Sequence, residues 1–555
     1  MNRPLKERPY LAALIGSTAF FMLLFMYRAP LFILNDDVAI ESILSGAYSG
    51  TPDMHTVYMG AGLSFVLSLL YRLIPVIPWF GVFCIFVVVL SAAAAIKKNE
   101  IAGAVMLLAF FMNCVLMPHY TVVAACAGSA GLLLLCGSTK KEDVTDIWMA
   151  FILLILCHQI RMQVFYMLLP FLLPVMISRF IKDKAEEERG KFIPAAACLL
   201  VFLLLLAAQK LAYSGEDWKE YLKLNDARTE LYDYTSVWES DEARQYYAGL
   251  GVSEEAFPIY KNYDLAVDDE ADTERLHAMA QYREKGRQSE GVQRIKEALY
   301  MVKISFIPGF DDPGMPYAYV FWLMTIAVLV LSLIEKDARA LLAALACAAV
   351  HLALYAFLAY RGRMPERIVT SLYMADIAVM SILLLGKRSQ KYNRPALIIL
   401  TAVCIPAFIY TAKTVIDAGD YESQLAVNKD DDVLYSYMDE HPDELFLLET
   451  YATVNRTKYV LRAKQSEPFN CMLMGGWLYG SPLQKQKLAA FGYDSAAEAV
   501  ELGRGVEFAF RYDKGLDPEE MQSFLEAKKV PVYLQLSELL EGEREYFGIF
   551  TPVRY

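Results

Sequence analysis

Two adjacent carboxylates and four arginines supply the chemistry that this sequence could perform. Asp36 and Asp37 follow a long apolar run, in FILNDDVAIESILSG, and His55 lies further along the same polar stretch. Arg161 occurs in HQIRMQVFY, and the other three arginines occur in YRGRMPERI: Arg361, Arg363 and Arg367. A carboxylate can take a proton from a hydroxyl group, and an arginine can bind a phosphate through two parallel N–H donors. Together these residue types suit the breaking of a sugar–phosphate bond carried by a lipid.

Each of these residues also has a simpler explanation. Asn35, Asp36 and Asp37 precede VAIESILSG, and Asn and Asp are favoured caps at the start of a helix. The arginines could instead contact lipid head groups along their aliphatic stems. The paired carboxylates leave a divalent metal ion open as a further alternative. If the pair is catalytic, the negative charge of one carboxylate raises the pKa of the other, which suits a general base.

Long apolar runs put these residues at the surface of a membrane. Of the 555 residues, 56% are hydrophobic and 21% are charged, and the mean hydropathy is +0.31. Runs of about 18 apolar residues are long enough to cross a hydrocarbon layer of about 30 Å. We therefore predict a mainly α fold, a polytopic transmembrane helical bundle. Its eleven predicted spans are 10–34, 79–96, 101–117, 119–136, 147–160, 162–181, 192–212, 317–335, 338–360, 367–386 and 395–412.

The basic residues predict how the chain is oriented. Short loops rich in Lys and Arg stay on the cytoplasmic side of a membrane. Arg3, Lys6 and Arg8 therefore predict a cytoplasmic N-terminus, and the basic loop 387–394 predicts that the C-terminal region lies outside. The protein is thus expected in the cell membrane as a multi-pass protein with an extracytoplasmic C-terminal region.

One further apolar piece, 57–76, is predicted not to cross the membrane. A cytoplasmic N-terminus and an outside C-terminus require an odd number of spans, which the eleven runs already satisfy. We expect 57–76 to lie on the outer membrane surface or to dip in and return, with Pro52 and Pro75 interrupting it at either end. The alternative is that 57–76 spans and another piece, such as 147–160, does not.

Two larger polar regions are predicted to face outside, a helical loop 213–316 and a small α/β domain 413–555. In the latter, ELFLLET and PVYLQL have the pattern of buried strands, and YFGIFTPV that of a further strand. DPEEMQSFLEAKK has the acidic first turn of a helix. The chain would then divide into a membrane module, 1–412, with its outward catalytic loop at 35–78, and the extracytoplasmic domain. No long basic block is present in the sequence, so nucleic acid is not an expected partner.

The start of the chain resembles the GT-C glycosyltransferases. The similar features are one span, an outward Asp-Asp pair, a short helix ending at Gly46, then His55 and an interfacial apolar segment. The resemblance implies an enzyme that moves a sugar from a polyprenyl-phosphate donor to an extracytoplasmic acceptor, an envelope glycan or glycolipid, among membrane lipids. It implies that Asp36 is the catalytic carboxylate and that Asp37 holds the second, variable position of the pair.

The arginines extend the resemblance, and other motifs limit it. Arg161 and the arginines of YRGRMPERI are similar to the phosphate-binding loops of bacterial members of the family. No His-Pro-Pro or Lys-Pro-Pro run follows the first loop, where the sequence has Asp53-Met54-His55. This difference argues against protein mannosyltransferases and aminoarabinose transferases proper. The absence of a WWDYG-like sequence argues against N-glycosylation of protein, so the sugar and the acceptor stay open.

Three other classes compete with a glycosyltransferase: a transporter or flippase, a polysaccharide polymerase, and a scaffold without catalysis. Transporters tend to have repeated halves and charges at the membrane midplane, and this sequence shows neither clearly. An enzyme requires Asp36, Arg161 and the arginines of 361–367 to converge on one cavity. If they point into separate places, a scaffold is favoured.

Overall fold

The fold is mainly helical, as predicted. A computed structural model describes residues 9–137, 144–180, 189–282, 290–309, 314–384, 390–416, 418–453, 457–462, 467–512 and 514–555. The first part of the chain contains helices α1 to α10 and the short strand β1. In chain order these are α1 Pro9–Tyr27, β1 Leu31–Phe32, α2 Asn35–Ser45, α3 Ala61–Leu73, α4 Trp79–Lys98, α5 Glu100–Met106, α6 Met112–Leu116, α7 Tyr120–Gly137, α8 Val144–Ile160, α9 Met162–Phe180 and α10 Arg189–Ala212. A π-helical turn, Leu107–Phe111, joins α5 to α6.

The middle of the chain forms a polar helical region followed by further apolar helices. The polar region contains α11 Glu216–Thr229, a π-helical segment Glu230–Thr235, α12 Asp241–Gly249, α13 Phe257–Lys261, α14 Thr273–Ala280 and α15 Glu290–Phe306. It is followed by α16 Tyr317–Ile334, α17 Ala338–Tyr360, α18 Glu366–Leu384, α19 Gln390–Ile416 and the polar helix α20 Ala418–Glu440.

Ten of the eleven predicted spans coincide with a helix or with a continuous helical stretch. The first, 10–34, is too long: its helix α1 ends at Tyr27, and the last part of the predicted span contains β1. In the described part of the chain, five helices are long and apolar enough to cross a membrane: α1, α4, α16, α17 and α18. Helix α10 and the helical stretch that begins at α11 would make a sixth, bent by 96°. The remaining predicted spans form shorter apolar helices by the same measure.

The apolar piece 57–76 folds into the short helix α3. With 13 residues, α3 is about 20 Å long, which is less than the roughly 30 Å of a hydrocarbon layer. One of its faces is buried, with Leu67 and Tyr71, while Phe65 and Val66 on the other face are more than half exposed. Its length and its two faces agree with a helix that does not cross the membrane.

The C-terminal region contains strands and helices, as predicted for a small α/β domain, and its strands form a mixed sheet. Its elements are β2 Leu445–Leu448, α21 Thr450–Thr453, β3 Lys458–Tyr459, β4 Cys471–Leu473, α22 Pro482–Ala490, α23 Ala496–Leu502, β5 Val506–Arg511, α24 Pro518–Ala527, β6 Val532–Glu541 and β7 Tyr546–Arg554. Five strands form one sheet in the order β4-β2-β5-β7-β6, in which β2 is parallel to β4 and β5 and the other pairs are antiparallel. Helix α24 begins with the capping box of Asp517 and Glu520.

The helical loop and the C-terminal domain, predicted as separate regions, share one hydrophobic core. Buried residues of the loop, such as Leu231 and Tyr247, belong to the same cluster as Leu447 and Phe508 of the sheet. Alternate residues of a strand face opposite sides, and Phe446 accordingly packs in a second cluster on the other face of the sheet. We call residues 216–282 and 418–555 together the polar domain.

The polar domain is joined to the start of the membrane module by a second, two-stranded sheet. Strand β1 pairs antiparallel with β3, which lies more than 400 residues later in the chain. Next to it, the buried ammonium group of Lys458 lies 2.9 Å from the carboxylate of Glu41 on α2. These contacts put residues 31–41 on the same side of the bundle as the polar domain. If both lie on the same side, the chain between residues 31–41 and the polar domain must cross the membrane an even number of times. The predicted topology meets this requirement.

Candidate active site

Helix α2 starts at the side of the bundle that faces the polar domain. Asp36 and Asp37 lie in its first turn, where carboxylates are favoured by the partial positive charge of a helix N-terminus. The helix ends at Gly46, whose φ of 86° is left-handed, and a Cβ there would lie 2.5 Å from the nitrogen of Pro52. The predicted short helix ending at Gly46 is therefore present.

The predicted acidic and basic residues converge on one cavity between the membrane helices and the polar domain. The cavity has a volume of about 820 Å³. Of the seven residues predicted from the sequence, five line it: Asp36, Arg161, Arg361, Arg363 and Arg367. This convergence is the geometry that the sequence analysis requires of an enzyme, and it does not favour a scaffold.

The cavity wall has a polar and an apolar part. Val164 and Met167 of α9 face Leu354 and Leu358 of α17 across the apolar part. The polar domain closes the opposite side with aromatic and hydroxyl side chains: Tyr263, Thr450, Tyr451 and Trp477. Such a cavity is suited to a ligand that has both a hydrocarbon chain and a polar head.

Asp36 is accessible from the cavity. Its side chain is 19% exposed, and its Oδ2 lies 3.9 Å from Nη2 of Arg367, so the pair is close but not in direct hydrogen-bonding contact. The residue that caps α2 is Leu34, and no side chain makes a capping hydrogen bond at this helix start. Helix capping by Asn35, Asp36 and Asp37, the alternative considered from the sequence, is therefore not what the structure shows.

Asp37 has a different environment from its neighbour, because successive residues on a helix point about 100° apart. Its side chain is fully buried, and its Oδ1 accepts a hydrogen bond of 2.8 Å from the backbone N–H of Tyr120 at the start of α7. Burial raises the pKa of the Asp37 carboxyl group, although the Tyr120 N–H lowers it in part. Asp37 therefore anchors α2 to α7, and it does not line the cavity.

The side chains of Asp36 and Asp37 point into different surroundings, which argues against a metal ion held between them. A metal ion held by both Asp36 and Asp37 would need both carboxylates to face one space, and they do not. Among the described residues, no group of three or more His, Cys, Asp or Glu side chains is placed to hold a metal ion.

Arg161 lies where α8 ends and α9 begins. Its guanidinium group lies 5.0 Å from the ring centroids of both Tyr58 and Tyr120, and Nη1 donates a hydrogen bond to the Tyr120 hydroxyl. Among the described residues, no carboxylate lies within 4.0 Å of this guanidinium. Two aromatic faces therefore hold the group in place, while its charge is left available to an anion in the cavity.

The three arginines between α17 and α18 have different partners. Arg363 donates to Asp233 at 2.9 Å. Burial disfavours its charge, but Asp233 and Tyr234 together outweigh this effect and the pKa of Arg363 is raised. Arg367 faces Asp36, as described above. Arg361 lies 4.7 Å from the ring centroid of Tyr234 and, like Arg161, has no carboxylate within 4.0 Å among the described residues. Arg161 and Arg361 are therefore the two arginines best placed to bind a phosphate.

His55 is predicted to bind substrate, but it is not among the residues that line this cavity. Its ring contacts Asp53 at 2.7 Å and the carbonyl oxygen of Ala212 at 3.1 Å, and it stacks on Trp218 at a centroid distance of 4.4 Å. These contacts occupy both ring nitrogens and one face. His55 thus connects the first loop to the end of α10, and the cavity does not include it.

The sequence analysis missed Arg228 and Asp233, which also line the cavity. Arg228 is buried and donates 2.9 Å hydrogen bonds to Asn225 and to the hydroxyl group of Tyr263. Burial disfavours the charge of Arg228, but nearby groups including Asp233 outweigh this effect and raise its pKa. Asp233 lies in the π-helical segment Glu230–Thr235, and such segments are rare and frequent at functional sites.

The cavity carries an excess of positive charge. Five arginines line it, against three aspartates: Asp36, Asp226 and Asp233. Burial also raises the pKa of Asp226, which makes its negative charge less favourable. An excess of about two positive charges in a partly enclosed space attracts an anion such as a phosphate.

Comparisons with protein-family models and with curated proteins find no match. Two solved structures match, both of ArnT from Cupriavidus metallidurans. The apo structure is 10% identical, with a TM-score of 0.38 over 96% of this chain and 97% of that chain. The structure bound to Undecaprenyl phosphate is also 10% identical, with a TM-score of 0.39 over 97% of both chains. Similarity at this level assigns no activity to the chain, whose function has to be argued from its own residues.

Proposed function

We propose that this chain is a membrane glycosyltransferase that moves a sugar from a polyprenyl-phosphate donor to an extracytoplasmic acceptor. The observation that carries the proposal is the convergence of Asp36 with Arg161 and Arg361 on a cavity that also has an apolar wall. A lipid-linked sugar needs all three features, because it combines a hydrocarbon chain, a phosphate and a sugar in one molecule. The solved ArnT structure bound to undecaprenyl phosphate is a match whose ligand belongs to the same chemical class.

The donor is expected to lie across the cavity with its chain toward the membrane. The apolar side chains of α9 and α17 would contact the polyprenyl chain, and Phe357, which is 58% exposed, would extend this contact to the edge of the bundle. Arg161 and Arg361 would hold the phosphate. The aromatic rings of Tyr58 and Trp477, whose centroids are 5.0 Å apart, would face the sugar.

The transfer would then be a single displacement. Asp36 takes the proton from an acceptor hydroxyl, and the hydroxyl oxygen forms a bond to the anomeric carbon of the sugar. The bond between that carbon and the phosphate oxygen breaks, and its electron pair stays with the lipid phosphate. Negative charge on the phosphate grows as the bond breaks, so Arg161 and Arg361 would stabilise the transition state more than the bound donor.

Replacement of Asp36 tests this proposal directly. Asp36→Asn keeps the shape of the side chain but cannot accept the proton, so transfer should fall by at least about a hundredfold, as for loss of a general base. Because Asp36 is at the surface of the cavity, we expect unchanged membrane insertion and thermal stability. The assay is release of radiolabelled sugar from a panel of polyprenyl-phosphate sugars by the purified protein.

Asp37→Asn is the matched control, since it changes the adjacent carboxylate that lies outside the cavity. Its amide oxygen can still accept the hydrogen bond from Tyr120, so we expect turnover per folded molecule to stay close to that of the wild type. Full activity of Asp36→Asn would refute Asp36 as the base. The proposal includes the orientation predicted from the basic loops, a cytoplasmic N-terminus and an extracytoplasmic polar domain.

A further inference from the structure

A second cavity adjoins the first and is separated from it only by a few side chains. It has a volume of about 600 Å³, and Asp226, Thr229, Tyr234 and Arg361 line both cavities. The two spaces therefore share one wall. Any molecule in the second cavity would lie directly beside a donor held in the first.

The second cavity differs from the first in the chemistry of its lining. Its lining is mainly polar: apart from Gly291, each lining residue carries a hydroxyl group or a charge. Glu230 and Thr235 come from the π-helical segment, Arg294 from the first turns of α15, and Tyr360 from the end of α17. A polyprenyl chain would find little hydrophobic contact here, whereas a molecule with many hydroxyl groups would find donors and acceptors.

The π-helical segment Glu230–Thr235 explains why the wall between the cavities is polar on both sides. The wider π turn and the positive φ of 87° at Ser236 end the helix abruptly. Asp233 faces the first cavity and Glu230 the second, while Tyr234 lines both, with Arg361 4.7 Å from its ring centroid. Carboxylates, arginines and tyrosine rings are the groups that bind sugar hydroxyls and stack on sugar rings.

We propose that the second cavity binds the acceptor and that the acceptor presents a carbohydrate to it. This inference rests on the proposed function, because only a transferase needs a second substrate next to the donor. The acceptor hydroxyl would pass the shared wall at Tyr234 and Asp226 to reach Asp36, which takes its proton. Of the two substrates, Arg294 and Glu230 would contact the acceptor and not the donor, since neither lines the first cavity. Glu230 also has a protein partner, His277, at 2.8 Å.

A thiol placed in the second cavity provides the test. Thr235→Cys can be modified with a bulky polar maleimide, and the matched control is Ser523→Cys on the exposed face of α24. The nine native cysteines interfere little, because eight are buried and Cys198 is partly buried. The substrate is a radiolabelled polyprenyl-phosphate sugar, with membranes of the producing cells as the source of acceptor.

The measured quantity is the ratio of label transferred to membrane acceptor over free sugar released to water. We expect modification of Thr235→Cys to lower this ratio at least tenfold, while modified Ser523→Cys keeps the ratio of the wild type. Arg294→Ala, which adds no bulk, should lower the ratio in the same direction, and Arg294→Lys should recover part of it.

A ratio that stays within twofold after modification, in protein shown by mass to be labelled, would overturn the assignment of the acceptor to this cavity. Equal loss of both products would also overturn it, because the cavity would then serve the donor. Wild-type protein that releases sugar neither to membranes nor to water would refute the proposed function itself, and the acceptor site with it.

Discussion

The variant Arg161→Lys tests whether Arg161 acts on the donor or mainly stabilises the fold. Arg161 contacts two tyrosine rings and the Tyr120 hydroxyl, and no carboxylate lies within 4.0 Å of it among the described residues. Lysine keeps the positive charge and the contact with the rings. It loses the planar pair of N–H donors that can hold two phosphate oxygens at once.

The size of the effect follows from what is lost at each stage of the reaction. Removal of one donor to a developing negative charge typically lowers the rate about 10²- to 10³-fold, or about 2.7–4 kcal/mol of transition-state stabilisation. The folded state loses one hydrogen bond from a charged group, to Tyr120, which is worth about 1.5–3 kcal/mol at most, because the lysine ammonium is also a donor. We therefore expect kcat to fall about a hundredfold with a smaller change in thermal stability.

Arg228→Lys is the matched control, because Arg228 lines the same cavity but is bound on several sides. Its guanidinium donates to Asn225, Tyr263 and Thr229, and hydrogen bonds from charged groups contribute about 1.5–3 kcal/mol each. This variant should lose more stability than Arg161→Lys. A donor titration and a thermal melt of both proteins measure the two effects. Arg161→Lys with kcat within twofold of wild type would show that the phosphate is held elsewhere.

Three further predictions concern the frame around the site. Lys458→Met leaves the buried carboxylate of Glu41 without its cation and should destabilise the protein by about 3–5 kcal/mol, seen as a lower melting temperature; exposed Lys485→Met should have little effect. A cysteine at Arg72 should react with an impermeant thiol reagent from outside the cell only, and labelling from the cytoplasm would contradict the predicted topology. Burial raises the pKa of Asp264 and of Glu449, so the native state keeps protons that the unfolded chain loses above about pH 4. The free energy of unfolding should therefore fall as pH rises from about 4 through the raised native pKa values. Chemical denaturation at a series of pH values measures it, and a free energy of unfolding that rises over this range would contradict the prediction.

The membrane helices and the general position of the site could be predicted, because both depend on local sequence. Apolar runs determine where spans form, and charged residues at the ends of spans must lie near a membrane surface. Asp36, Arg161 and Arg361 were found in this way. The enzyme hypothesis requires these three residues to share a cavity. Their spacing along the sequence alone does not predict that they do.

The rest of the site depends on contacts between distant parts of the chain. Asp36 and Asp37 have the same side chain, and only the packing of α2 against Tyr120 decides that one is buried and the other accessible. Arg228 belongs to an amphipathic polar segment, where arginine is usually solvent-exposed. Its nearest aromatic partners include Tyr58, 170 residues earlier in the chain, a pairing that no local pattern predicts.

The polar domain was predicted from strand and helix signals, but its boundary was not. ELFLLET contains β2, whose four residues are all buried, and YFGIFTPV forms most of β7. PVYLQL contains the start of β6, an edge strand whose residues are mostly exposed, so the prediction that this strand is buried is wrong. The loop 213–316 has weaker local signals, since its short helices bury one face only. Its union with the sheet through Leu231 and Tyr247 depends on tertiary packing.

The pairing of β1 with β3 has a consequence for how the protein is made. Residues 31–32 leave the ribosome long before residues 458–459, so strand β1 has to wait without its partner while every intervening helix is inserted. The ion pair between Glu41 and Lys458 is delayed in the same way. Helix α2, and with it Asp36, would therefore reach its final position only late in synthesis. A chain interrupted before residue 458 would contain the carboxylate and the arginines without the support that orients them, so we expect incomplete products to lack the proposed activity.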